Sequence, residues 1–339
     1  MSEQCREQAI SRDAPDLAAI EAAAQTLKGR IVETPVVPLV AEALKPHLPG
    51  GAEVIGKLEL FQHAGSFKAR GALLNILDFS DAEAGHGATA VSAGNHALAV
   101  AWAARQRQVH AKVVMMKTAD PVRVAGCRAL GAEVVQTDDI HGAFAEVDRI
   151  VAEEGRRFIH PFESPLTVLG TATCGREAAM QMPDLDVMVI PVGGGGLIAG
   201  MARAMKLLQP NCRVIGVEPE GADSLTRSFA AGSPQTLEKV DTIADSLGAP
   251  MTLPYSFAVA RDHVDELVRI RDDDMLRAMG LIYDGLKIAV EPAGAASTAA
   301  VMGPLKQACA GKRVGVIFCG SNIGEERFAA LVAKGRGLA

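Results

Sequence analysis

The sequence predicts an open α/β fold whose sheets are mostly parallel and carry helices on their faces. Three stretches make that prediction, because each repeats one design: a short apolar run, a loop of small polar residues, then an Ala/Leu-rich helical pattern. Ala88–Val91 leads through Ser92-Ala93-Gly94-Asn95 into His96–Arg105. Val187–Pro191 leads through Gly193, Gly194, Gly195 and Gly196 into Leu197–Leu208. Val314–Phe318 leads through Cys319-Gly320-Ser321-Asn322 into Glu325–Ala333. Apolar runs alternating with helical periodicity mark β-α units of a parallel sheet. Such sheets take ligands beyond the carboxyl ends of their strands, which is where all three loops fall.

The remaining elements follow in order. Residues 12–28 have helical periodicity with Asp13 or Asp16 available as a cap, and Pro35 and Pro38 interrupt what comes next. Glu53–Leu60 has the composition of a strand, and 110–116 and 132–136 are expected strands flanking a helix over 120–130. His160-Pro161-Phe162-Glu163-Ser164-Pro165 is the expected return from one lobe to the other. No internal repeat or low-complexity tract interrupts the chain.

With 339 residues, 49% of them hydrophobic and 22% charged, the chain can bury a core without covalent staples. A net charge of −6 with no basic stripe argues against a nucleic-acid partner. No pair among Cys5, Cys127, Cys174, Cys212, Cys309 and Cys319 has the CxxC spacing of a zinc or redox site, so reduced thiols and a cytoplasmic setting are expected. The N-terminal segment mixes charges and lacks the apolar stretch of a signal peptide. The longest apolar run, Val187 to Ala204, is broken by Pro191, four glycines and Arg203, so no membrane span is expected.

The segment Gly65-Ser66-Phe67-Lys68-Ala69-Arg70-Gly71-Ala72 places a lysine between Phe67 and a small residue, shortly after an expected strand. An amine in apolar surroundings loses proton affinity and becomes nucleophilic, as a Schiff-base lysine must be. Taken alone, Lys68 reads equally as an ordinary helix lysine next to Arg70. The four glycines lie between a strand and a helix, where backbone amides can converge on a dianion. Neither the GxGxxG spacing nor a Walker lysine accompanies them.

These stretches form an ordered series that resembles the fold-type II pyridoxal-phosphate (PLP) enzymes, in the branch of serine/threonine ammonia-lyases (dehydratases) and serine racemase. The series runs from about residue 30 to 325: the Lys68 motif, Ser92-Ala93-Gly94-Asn95-His96, Arg128 through Val135, His160-Pro161-Phe162-Glu163, Gly170-Thr171-Ala172-Thr173, Gly193 to Gly196, Gly216-Val217-Glu218-Pro219, Thr242 to Asp245, Glu291-Pro292-Ala293-Gly294-Ala295, and Cys319-Gly320-Ser321-Asn322. The resemblance implies two open, mostly parallel twisted sheets with PLP in the cleft between a large domain (1–82 and 165–339) and a small mobile domain (83–164).

It also implies roles. Lys68 would hold PLP covalently and, once freed by the substrate amine, take the Cα proton. Gly193, Gly194, Gly195 and Gly196 would bind its phosphate. Asn95 would meet the ring O3′, or serve only as a helix cap. Ser92, Ala93, Gly94, Asn95 and His96 would receive the substrate carboxylate, His96 without a catalytic part. Cys319 would face the pyridine nitrogen as a neutral thiol, with Ser321 the neighbouring candidate. Phe67 would pack on the cofactor or in the core. Glu218 and the Ala222 carbonyl would ligate Mg²⁺, Ca²⁺ or a monovalent cation, or form a solvated loop. Ser224 stands where racemase-like members carry a carboxylate.

The implied reaction is loss of water from a β-hydroxy amino acid such as L-threonine or L-serine, giving a 2-oxo acid and ammonia. A serine before Gly-Asn serves as the second acid/base in racemases; Ala93 occupies that position here, with Ser92 one residue away. The family's frequent residues are absent at Ala64, Leu98, Ala99, Met116, Thr171 and Ala172, which leaves a larger substrate such as phenylserine or 3-hydroxyaspartate open. Family analogy implies a homodimer, and an ACT-type regulatory domain has no room after the last helix.

Overall fold

A computed structural model describes residues 14–338; Cys5 and Asp13 lie outside the described residues. The first half of the chain forms α1 (Leu17–Leu27), β1 (Val36–Pro38), β2 (Glu53–Lys57), α2 (Lys68–Leu77), α3 (Asp81–His86), β3 (Ala88–Val91), α4 (Asn95–Gln106), β4 (Ala111–Met116), α5 (Pro121–Ala129), β5 (Glu133–Thr137), α6 (Ile140–Glu154) and β6 (Arg157–Phe158). The second half forms α7 (Pro165–Gln181), β7 (Val187–Pro191), α8 (Gly196–Leu208), β8 (Arg213–Pro219), α9 (Ser224–Ala231), α10 (Pro254–His263), β9 (Glu266–Ile270), α11 (Asp272–Leu286), α12 (Pro292–Met302), β10 (Arg313–Ile317) and α13 (Glu325–Arg336).

Two sheets result. The larger has the order β1-β2-β10-β7-β8-β9, and the smaller β5-β4-β3-β6. Every pairing is parallel except β1 with β2 at one edge, where Pro38 is tolerated. Helices cover both faces of the central strands, so these read as continuous apolar runs: Val187 to Ile190 are all buried, as are Val314, Val316 and Ile317. The carboxyl ends of β3, β7 and β10 open into the Ser92, Gly193 and Cys319 loops, the edge where the sequence placed them.

Asp16, of the two candidate caps, accepts from the Ala19 amide at 2.7 Å and starts α1. The strand expected over Glu53–Leu60 stops at Lys57. Leu58 leaves extended geometry and Glu59–Phe61 forms a 3-10 turn. That turn carries the Glu59 carboxylate into the interior, where Thr34 donates to it at 2.5 Å and Arg70 at 2.8 Å. Among the described residues no helix is long and apolar enough to cross a membrane. Cys127, Cys174, Cys212, Cys309 and Cys319 are free and buried.

Candidate active site

Lys68 is the first residue of α2, and two contacts fix where that helix begins. The Phe67 amide donates to the Cys319 carbonyl at 3.3 Å, and the Ser321 amide to the Gly65 carbonyl at 3.0 Å. The turn before α2 is therefore knitted to the loop after β10. On the far side of α2, the Arg70 guanidinium is fully buried and bonds Glu59 and Glu177 at 2.7–2.8 Å. Residues two apart on a helix point to different sides, so Arg70 anchors the helix while Lys68 lines a cavity between the sheets.

The cavity has a volume of about 190 Å³ and is lined by Phe67, Lys68, Ser92 to His96, Gly193 to Gly196 and Cys319, all expected from sequence. Burial pushes the Lys68 amine down to about 8, against a smaller upward pull from the nearby Cys319 and Glu291. Its Nζ donates to the Pro161 carbonyl and lies 5.1 Å from the Phe67 ring centroid. Among the described residues no ion pair holds it.

Gly195 has φ +93° and caps α8, a backbone state that side chains resist. A Cβ on Gly194 would stand 2.4 Å from the Phe162 ring, so the loop must be bare to pass that residue. The first amides of α8 have no acceptor inside the helix and carry its positive dipole end, which suits an anion.

The Asn95 side chain is fully engaged. Its Nδ2 donates to Glu291 at 2.6 Å and Ser246 at 3.2 Å, and its Oδ1 accepts from Asn322 at 2.7 Å. The Gly94 amide donates to Ser92 Oγ at 3.1 Å. His96 is buried and its Nε2 meets the Ile159 carbonyl at 2.7 Å; burial and the Lys68 charge drop it to about 3, so it stays neutral. Cys319 is buried too, and burial first, then Glu291, pushes its thiol well above the usual range.

Three charged residues of the cavity wall were not singled out as site residues. Burial raises the Glu291 carboxyl. Arg123 donates to Glu291 at 3.3 Å, to Asp245 at 2.5 Å and to the Asn322 carbonyl at 2.8 Å, tying α5 to the larger sheet's loops. Glu291 and Asp245 stood in the matched series without a role; nothing local marks Arg123.

Glu218 and Ala222 do not join the cavity. Glu218 accepts from the Leu225 and Thr226 amides at 2.8 Å and from Thr226 Oγ1 at 2.6 Å, an arrangement that satisfies the start of α9. Burial pushes it up to about 7. Ala222 is buried, and its amide donates to the Pro219 carbonyl.

Comparison with known proteins agrees with this geometry. The family described as pyridoxal-phosphate dependent enzyme matches residues 27–320. A phenylserine dehydratase from Ralstonia pickettii is 51% identical over 315 residues, spanning 93% of this chain and 95% of the relative. An L-threonine ammonia-lyase from Thermotoga maritima is 34% identical over 317 residues, spanning 93% of this chain and 78% of the relative. Among solved structures, maize serine racemase superimposes with a TM-score of 0.87 at 33% identity, covering 95% of this chain and 99% of that one. The donor set suits the cofactor: an amine of lowered proton affinity for its aldehyde, a bare helix start for its phosphate, and a neutral thiol for its ring nitrogen.

Proposed function

The chain belongs to the pyridoxal-phosphate-dependent enzymes, and from that premise we propose that it is an ammonia-lyase removing water from a β-hydroxy amino acid to give a 2-oxo acid and ammonia. One observation carries the reading: an amine with its proton affinity lowered to about 8 shares a cavity with the glycine-rich helix start. When bound, PLP supplies the electron sink that makes the Cα proton removable.

The chain's own residues supply the rest. Lys68 holds the cofactor and, once displaced, takes the Cα proton; an amine near 8 is substantially deprotonated at mildly alkaline pH. Gly193, Gly194, Gly195 and Gly196 bind the phosphate through their amides. The amides at the start of α4 receive the substrate carboxylate. Asn95, oriented by Glu291 and Asn322, would be the side chain to meet the ring oxygen. Cys319 offers the ring nitrogen a neutral group, so that nitrogen is not held protonated as a carboxylate would hold it. Phe67, with its ring centroid 5.1 Å from Lys68 Nζ, would pack against the linkage. A cation at Glu218 and Ala222 would have to displace the amides of α9.

Ala93 favours the lyase over a racemase, since it lacks an acid/base group. Arg123 holds the segment 83–164 against the rest, so that segment is read as a small domain closing on substrate. A cytoplasmic homodimer completes the proposal. The test is ammonia and 2-oxo acid release by purified, PLP-loaded protein across serine, threonine, phenylserine and 3-hydroxyaspartate. Keto acid from at least one supports the reading. Its absence from all refutes the reading, and accumulation of the opposite isomer without keto acid establishes a racemase instead.

A further inference from the structure

A second cavity of about 120 Å³ borders the first and shares Ser92, Ala93 and Phe162 with it. Most of its other walls come from the smaller sheet and its cover, Val114 and Met116 on β4 and Ala143 and Phe144 on α6, with Pro250 added from the loop before α10. We propose that this annex holds the β-aryl ring of the substrate, with Met116 and Phe144 setting the size of ring admitted. The inference rests on the dehydratase reading above and names its substrate class.

Three observations carry it. The first is chemistry: the lining has no charged side chain, and its one polar side chain, Ser92, already accepts from the Gly94 amide. A β-carboxylate there would be desolvated without a cation, whereas a phenyl ring loses nothing. The second is size, because an apolar cavity on the order of 150 Å³ is enough to take benzene, and a side chain as small as that of threonine would leave the annex empty. The third is exposure. Phe144 is 37% exposed although it stands at the mouth of an apolar pocket, and Phe162 offers a second ring, held by His160 edge-on at 4.6 Å. A ligand ring between them gains offset or edge-to-face contact. Ala93 adds no polar group to the passage between the two cavities.

The experiment compares PLP-loaded wild type with Met116→Trp, which fills the annex, and Phe144→Ala, which removes a wall at an exposed and therefore tolerant position. Two quantities are measured: the ratio of kcat/KM for phenylserine over threonine, and calorimetric affinity for phenylalanine against alanine, neither of which has a β-hydroxyl to lose. Burying a phenyl ring is worth about 10- to 100-fold in affinity, so wild type should prefer phenylalanine by that factor. Met116→Trp should abolish the preference and lower the kcat/KM ratio at least tenfold; Phe144→Ala should cut the preference by roughly threefold or more. Undiminished preference in the folded variants, or none in wild type, overturns the annex assignment. Turnover of threonine without phenylserine overturns it while leaving the lyase reading intact. No keto acid from any hydroxy amino acid instead removes the reading beneath it.

Discussion

Two lysines on the same stretch of chain, Lys57 fully buried and Lys68 half-buried at the cavity, end in opposite surroundings. Lys57 has no exposed surface, and its three donors all find acceptors: the Thr34 carbonyl at 2.7 Å, Glu177 at 2.8 Å and Gln181 at 2.8 Å. It belongs to a charged cluster behind α2 in which Arg70, Glu59 and Glu177 neutralise one another. Lys68, in the cavity before α2, has one carbonyl and no ion pair. Lys57 is held by its partners, and Lys68 is left facing a cavity. Desolvation without an ion pair lowers the Lys68 amine, and the charged cluster is what lets the helix hold it in that position.

The sharpest way to break this comparison is to delete each lysine. Lys68→Ala should lose the visible absorbance of the bound cofactor and at least about 10³-fold in turnover, with little change in Tm. Lys57→Met should do the reverse, lowering Tm while the folded fraction keeps its cofactor. Normal turnover in Lys68→Ala would end the assignment.

Next in size is the anchor. Burial alone would pull Arg70 down, but the Glu59 carboxylate outweighs it and holds the guanidinium well above its ordinary value. Arg70→Met strands the buried Glu59 without its cation and leaves Glu177 with Lys57 alone, which should cost about 3–5 kcal/mol. Thermal or urea unfolding reads that loss. Adding Glu59→Gln to Arg70→Met should recover part of it, and no recovery would mean that the charges are not coupled.

The pH dependence tests Lys68 directly. An amine lowered to about 8 is protonated below that value and free above it, so reductive labelling of cofactor-free protein at Lys68 should rise tenfold per pH unit below 8 and level off above it. Lys57 should remain unlabelled in the folded protein. The same sign governs stability. Between about 8 and the ordinary value of 10.5 the unfolded chain binds more protons at this position, so the Lys68 contribution to stability rises with pH across that window. A labelling midpoint near 10.5 would show an ordinary surface amine.

Local signals made the cavity legible and left its cross-chain partners hidden. The glycine loop suggested an anion site by its residue types, while Lys68, Asn95 and Cys319 took their expected roles from the ordered series of short motifs and line the same cavity. Arg123 meets Glu291 across 168 residues and Asn95 meets it across 196, distances over which no periodicity or spacing speaks. Helix α12 shows the same limit for the fold. It is buried on nearly every side, so its Ala-rich sequence has no polar stripe to reveal the period. The strand ending at Lys57 rather than Leu60 has a related cause, since Glu59 turns inward for a partner that arrives only with α2.

The smallest effect tests neutrality rather than charge. Cys319 in the cavity and Cys174 beside the charged cluster are both pushed far up, by burial first, so both remain thiols. If the cavity needs only an uncharged group at 319, Cys319→Ser keeps what matters. Then kcat/KM should stay within about tenfold, a change of roughly 1.4 kcal/mol, with cofactor absorbance retained. Cys319→Asp would put a second carboxylate beside Glu291, and mutual repulsion should either neutralise it or displace the cofactor ring. Loss of 100-fold or more in the serine variant would mean that sulfur itself takes part. A small loss in the serine variant with a large one in the aspartate would place the two regions at opposite poles: one stable because its charges are paired, the other active because its groups are kept neutral.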